Sequence, residues 1–344
     1  MPTVPGRFLP LYLRLIRTNR RYVTARGAER HLRQRVLRPP AYGPPRRLRA
    51  DVSVRVERWR GWPVYTLAPA AGRASGGTVY VHGGAWVNEI VPQHWQLAAR
   101  IAARARTHVV VPIYPLVPHG TAGHVVPAMA ELVLAVRGRY GRVCLAGDSA
   151  GGQIALSAAV LLRDGHGTAL PRTVLVSPAL DLSFGHPGID AVQPHDPWLA
   201  RDGLRVFADL WRGDLGLTDP RVSPLAADLR GLGPLTVFSG TRDILNPDTR
   251  LLVQKAVAAG VDVEYHERPG AVHVFPLTPT REGAAARGIV VDRLRAGHVT
   301  PGRARGPSDG SVREEGPGTA RPARRGGSGA APRGNPPSAG RAGP

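Results

Sequence analysis

Eight short apolar or alternating runs between Asp51 and Glu267 constrain this chain more than any other feature: DVSVRVERW, PVYTLAP, TVYVH, HVVVPIY, RVCLAG, TVLVS, PLTVFSG and VDVEYHE. Helical patterns at 94–106, 127–139, 151–163, 247–259 and 281–295 lie between or after most of the later runs. Strands that alternate with helices are joined by crossovers, so the expected fold is α/β, with a mostly parallel sheet covered by helices on both faces. The first two runs have no helix between them and predict an antiparallel hairpin at one edge. Residues 181–233 break the alternation with a polar loop and then an amphipathic segment carrying Trp198, Leu199, Leu204, Val206, Phe207, Leu210 and Trp211. Such an insertion belongs over the carboxyl end of the sheet, where α/β proteins bind ligands.

The flanks differ in composition. Of 344 residues, 42 are Gly and 34 Pro, and the net charge of +21 is concentrated at the ends: +12 falls in residues 1–50 and +5 in 298–344. The central 51–297 is nearly balanced, and lysine occurs once, as Lys255, so the Arg excess reads in part as a compositional bias and not as a nucleic-acid footprint. No specific nucleic-acid partner is expected. Residues 298–344 have almost no large apolar side chain and are expected to be a disordered basic tail. In 1–50, Tyr12, Leu15, Ile16, Tyr22, Val23, Leu32, Val36 and Leu37 recur near helical spacing until Pro39, Pro40, Pro44 and Pro45. One or two Arg-rich helices and a Pro-rich linker fit.

The lone Cys144 excludes an intramolecular disulfide, and the 12 His show no zinc-ligand spacing. No run approaches the ~18 apolar residues of a membrane span; Phe8 to Ile16 is short and interrupted by Pro10 and Arg14. A cytoplasmic protein is expected, with weak association to an anionic membrane surface through the N-terminal helices.

RVCLAG runs directly into Gly147-Asp148-Ser149-Ala150-Gly151-Gly152 and the helical QIALSAAVLL. A G-x-S-x-G between strand and helix holds a serine on a strained turn with its hydroxyl projecting from the top of the sheet. The motif alone also describes a tight turn whose serine caps a helix, and its strand-to-helix position favours the nucleophile. At the end of the earlier run TVYV stands HGGAW, His82 to Trp86. There, backbone N–H groups can turn inward and, with the N–H of Ala150, surround a developing oxyanion.

A nucleophilic serine needs a histidine base oriented by a carboxylate, in the chain order Ser, acid, His. Asp243 follows PLTVFSG, and His273 follows the last strand run. Asp248 lies in the same loop as Asp243 but is placed to begin a helix, and His266 alternates within a strand. Trp86, Trp198 and Trp211 are candidates for a substrate pocket or for core packing.

HGGAW, GDSAGG, GTRD and AVHVF together resemble the hormone-sensitive-lipase-like branch of the α/β-hydrolases, over about residues 51–296. The resemblance implies an α/β-hydrolase fold with a helical cap built from the N-terminal helices. It implies Ser149 as nucleophile, His273 as base then acid, Asp243 as its orienter, and Gly83, Gly84 and Ala150 as the oxyanion hole. The implied activity is hydrolysis of short-to-medium acyl esters without a cofactor; amidase, arylformamidase or lactone hydrolase activity on the same triad is the alternative. A non-catalytic binding module with basic flanks is a reading from another class. The family's frequent third glycine is Ala85 here, and its Y-R-L-A-P-E segment is Tyr114-Pro115-Leu116-Val117-Pro118-His119.

Overall fold

The computed structural model describes residues 5–299. Eight strands, β1 (Val52–Trp59), β2 (Trp62–Pro69), β3 (Gly77–Val81), β4 (His108–Pro112), β5 (Val143–Asp148), β6 (Thr173–Val176), β7 (Leu235–Arg242) and β8 (Val263–Val272), form one sheet in the order β1-β2-β4-β3-β5-β6-β7-β8. The helices are α1 (Leu9–Leu15), α2 (Ala25–Leu37), α3 (Pro92–Ile101), α4 (Ala122–Tyr140), α5 (Ala150–His166), α6 (Gly188–Val192), α7 (Arg201–Arg212), α8 (Asn246–Ala258) and α9 (Arg281–His298). Only the β1–β2 and β2–β4 pairings are antiparallel. The β1–β2 hairpin turns at Arg60-Gly61, both with positive φ, the two-residue geometry that matches strand twist.

Period-two alternation divides each central strand between two cores. Val143 and Leu145 of β5, Val79 and Val81 of β3 and Val110 of β4 join a core with α4, α5 and α8. Cys144, Ala146, Tyr80, Val109 and Val111 face the other way, onto α3 and α9. This double burial explains why these strands read as continuous apolar runs. The edge strand β1 is instead largely exposed and carries Arg55, Glu57 and Arg58, which discourage further strand pairing.

Two boundaries differ from the sequence reading. Helix α4 starts at Ala122, so Pro127 sits in its second turn and not at its start. The C-terminal boundary expected at His298 is corrected: His298 is the buried last residue of α9, its Nε2 lying 3.0 Å from Thr78 Oγ1, while Arg142 Nε donates to Gly297 O. A polar partner inside the fold anchors that turn, which hydropathy alone does not register. The remainder of the expected tail, 300–344, lies outside the described residues.

Residues 181–233, the expected insertion, contain α6 and α7. In α7, Leu204, Phe207, Ala208 and Trp211 are buried at helical spacing. Tyr22 and His31 from the N-terminal segment pack edge-on against Phe207. Gly203 allows backbone-to-backbone approach, donating its N–H to Tyr22 O at 2.8 Å; a Cβ at Gly203 would meet Tyr22 backbone atoms. Among the described residues, no helix is long and apolar enough to cross a membrane.

Candidate active site

β5 ends at Asp148, and Ser149 follows with a positive φ, 53°, and ψ −121°, before α5 begins at Ala150. Positive φ is costly for a residue with a Cβ, and the surroundings hold Ser149 there. Its N–H donates to Val176 O at 2.9 Å, and its carbonyl accepts from Gln153 and Ala179, both at 3.1 Å. The turn closes because two neighbours lack a side chain. A Cβ on Gly147 would strike the Gly151 carbonyl, and one on Gly151 would strike the carbonyls of Val81 and His82.

Parallel strands place their following loops on one edge of the sheet, which brings distant residues together. Asp243 follows β7 and His273 follows β8. His273 Nδ1 donates to Asp243 Oδ2 at 2.9 Å, since a carboxylate only accepts. Nε2 of that tautomer accepts from Ser149 Oγ at 3.0 Å. The Asp243 carboxylate also accepts the Leu245 N–H at 3.0 Å and is fully buried, so its aim is fixed. Burial favours the neutral imidazole, but the charge and hydrogen bond of Asp243, with Asp196 and Asp148 farther away, outweigh it and hold the His273 pKa above the ordinary value.

Asp148, beside the serine, is buried with two side-chain donors. Tyr80 donates its hydroxyl to Oδ1 at 2.7 Å and His94 donates Nε2–H to Oδ2 at 3.1 Å. The tautomer follows, because His94 Nδ1 accepts the Val91 N–H. Burial raises the Asp148 pKa, yet these partners and the nearby His82 together hold it below the usual carboxylate value. His82 donates Nδ1–H to Gly83 O and stacks on Tyr114, whose hydroxyl donates to His82 O at 2.7 Å. Burial, with His94 close by, pushes the His82 pKa down to about 4 and keeps the ring neutral.

Gly83, Gly84 and Ala85 line the same cavity as Ser149 and His273, while Ala150 is buried at the start of α5. Gly84 has φ 138°, and Ala85 and Trp86 have φ 53° and 57°, so the chain coils tightly after β3. Asn88 braces this coil by donating Nδ2–H to Gly84 O at 2.9 Å, while its Oδ1 lies 2.7 Å from His31 Nε2 of α2. The N-terminal helices therefore touch the glycine turn directly.

The cavity measures about 470 Å³. Trp198 and Leu199 from the insertion line it, with Leu9, Tyr12 and Leu13 from α1 on another side. Trp198 packs edge-on against His273 at 6.0 Å between ring centres. Glu89 contributes a polar part of the wall, its pKa pushed up to about 7 by burial.

Trp86, a sequence candidate for substrate contact, is corrected: it lies in the core and does not line the cavity. Its ring is 1% exposed, stacks on Trp211 at 6.0 Å, and donates Nε1–H to Gln153 Oε1 at 3.1 Å. Trp211 donates to the same oxygen at 2.9 Å. The left-handed backbone at Ala85 and Trp86 turns the indole beneath the loop, which periodicity does not reveal. Asp248, the rival acid, is buried in the first turn of α8 and makes no bond to His273.

One residue escaped the sequence reading. Asp196, in the insertion, is buried and accepts three backbone N–H groups: Trp198 at 2.7 Å and Leu199 at 2.9 Å on Oδ1, and Ile244 at 2.9 Å on Oδ2. Burial and the neighbouring Asp243 charge raise its pKa, against the pull of those three donors. The signal was D-P-W-L, an Asp before Pro able to cap the following turn.

Known proteins share this architecture. A family model described as alpha/beta hydrolase fold matches residues 78–277. A triacylglycerol lipase of Mycobacterium tuberculosis is 36% identical over 203 residues, covering 58% of this chain and 42% of that protein. An acetyl-hydrolase of Streptomyces hygroscopicus is 34% identical over 204 residues, 57% of this chain and 67% of that protein. The chain thus spans less than half the length of the lipase and about two thirds of the acetyl-hydrolase. Among solved structures, an esterase from the bacterial hormone-sensitive lipase family aligns with TM-score 0.72 and 26% identity, over 87% of this chain and all of that one. The chain belongs to the alpha/beta-hydrolase fold family.

Proposed function

We propose that the chain is a serine hydrolase that cleaves carboxylic esters of short-to-medium acyl chain through an acyl-enzyme. The observation that carries this reading is the hydrogen-bonded series Ser149 Oγ, His273, Asp243 opening onto the 470 Å³ cavity. A pocket of that size encloses a limited acyl group.

In this mechanism His273 Nε2 takes the Ser149 proton as Oγ bonds to the ester carbonyl carbon, and Asp243 stabilises the resulting imidazolium. The carbonyl oxygen gains negative charge opposite the backbone N–H groups of Gly83, Gly84 and Ala150, each such donor contributing about 3 kcal/mol to a transition state of this kind. As the tetrahedral species collapses, the C–O bond to the alcohol breaks and His273 returns the proton to the departing oxygen. Water, deprotonated by the same nitrogen, then attacks the acyl-enzyme, releasing acid and restoring Ser149. Trp198 borders the reacting atoms and contacts substrate; the N-terminal helices and the 181–233 insertion act as the cap on the 51–297 domain. A cytoplasmic site of action is part of this reading.

The test is hydrolysis of p-nitrophenyl acetate, butyrate and decanoate beside Ser149→Ala, with anilide and lactone substrates in parallel. Turnover lost in the variant and falling from butyrate to decanoate supports the reading. Preference for the anilide or lactone would reassign the leaving group, and equal background from both proteins would overturn the hydrolase reading.

A further inference from the structure

Helix α1 and the turn after it carry the densest group of exposed large apolar side chains among the described residues. Phe8, Leu11, Tyr12, Leu15 and Ile16 are each more than half exposed, Leu15 at 80%. The helix has a buried side, Pro10 and Leu13, and Leu11 and Leu15 stand one turn apart on another. Six arginines and no acid lie between residues 5 and 28. Arg7, Arg14, Arg17 and Arg20 are exposed; Arg7 stands 4.9 Å over the Phe8 ring and Arg14 also reaches Pro194 O.

The combination narrows the occupant. A nucleic acid rewards the cations and leaves the aliphatic side chains in water. A second copy placed face to face would set arginines against arginines. The chain's own 301–344 segment offers one large apolar residue, Val312, and carries the same sign of charge, eight Arg against three acids. Aliphatic and aromatic side chains interleaved with arginines, with no acid, fit a surface that is apolar within and anionic at its rim.

We propose that this face docks on an anionic phospholipid bilayer, with Phe8, Leu11, Leu15 and Ile16 entering the boundary between headgroups and acyl chains and the arginines meeting the phosphates. Leu9, Tyr12 and Leu13 of the same helix line the cavity that holds Ser149. Docking therefore brings a wall of the cavity to the bilayer surface, where esters dissolved in lipid concentrate. That supply of substrate rests on the hydrolase reading; the docking itself does not.

The experiment is co-sedimentation of the full chain with vesicles of phosphatidylglycerol and phosphatidylcholine, and of phosphatidylcholine alone, at about 0.1 M salt. Binding to the anionic vesicles is expected to weaken at least about tenfold in Leu11→Ser/Leu15→Ser, and about fivefold per charge in Arg17→Gln/Arg20→Gln. Neither leucine lines the cavity, so the first variant keeps its turnover of p-nitrophenyl acetate in solution. Ser149→Ala should bind as the parent does, which keeps the docking result readable if the hydrolase reading fails. Equal binding to both vesicle types, or undiminished binding by the leucine variant, overturns the proposal, the latter assigning attraction to other basic segments. Should the leucine variant fail to fold, undiminished binding by the arginine variant overturns it alone.

Discussion

Asp196 accepts the backbone N–H of Ile244 at 2.9 Å and so joins the insertion to the residue that follows Asp243. Its other oxygen fixes Trp198 and Leu199, both walls of the cavity. Asp196→Asn would present an amide NH₂ to one of these donors and break a link. The expected result is a fall in kcat of about tenfold to a hundredfold, because small displacements of a reacting group are costly. Since the Asp196 charge helps raise His273, the acid limb of the pH profile should also move to lower pH. A variant altered in thermal stability alone, with kcat and profile unchanged, would reduce Asp196 to a packing residue.

In the proposed mechanism His273 must be neutral to accept the serine proton. Its pKa lies above the ordinary imidazole value, so kcat/KM should rise with pH through a midpoint above about 6.5. Asp243→Asn removes the acceptor that selects the tautomer, and kcat should fall by about 10³ to 10⁴. Stopped assays across pH 5 to 9 check both; a flat profile would mean another base.

Gly151→Ala inserts a methyl group into two carbonyls, those of Val81 and His82. The strand and helix must separate to admit it. Stability is expected to drop by about 3 kcal/mol, with loss of turnover as Ser149 shifts. Denaturant unfolding measures the first, and an unchanged midpoint would show that the turn at Ser149 tolerates expansion.

Asp248 carries a buried Oδ2 with no partner among the described residues, and burial, with Asp181 nearby, pushes its pKa up to about 7. An unfolded Asp ionises near 4, so the folded chain holds this proton when the unfolded chain has lost it. The native state is therefore penalised progressively as pH rises from about 4 to 7, and fully above that. Asp248→Asn should stabilise on the order of 3 kcal/mol at pH 8.5 and almost nothing near pH 4. Urea midpoints at the two pH values test the sign.

The strand-helix rhythm revealed the sheet because each central strand is apolar on both faces; Ser149 and Asp243 were legible because each follows such a strand, and His273 because it follows the alternating edge strand β8. Trp86 was not legible: its direction depends on two left-handed residues, a property of φ and not of hydropathy. Asp196 was hidden for another reason. Its three donors are backbone groups, and one, Ile244, is far away in the chain. His298 looked like the start of a tail because its partner, Thr78, lies on a strand from the other end of the sequence.

Gly203 and Tyr22 meet backbone to backbone, joining two stretches of chain that are distant in sequence. Substitution on either side of that seam can recontour the chamber above Ser149 while the sheet edge beneath stays as it is. Under the proposed reading, paired changes across the seam alter which ester fits and leave Ser149, His273 and Asp243 where they are.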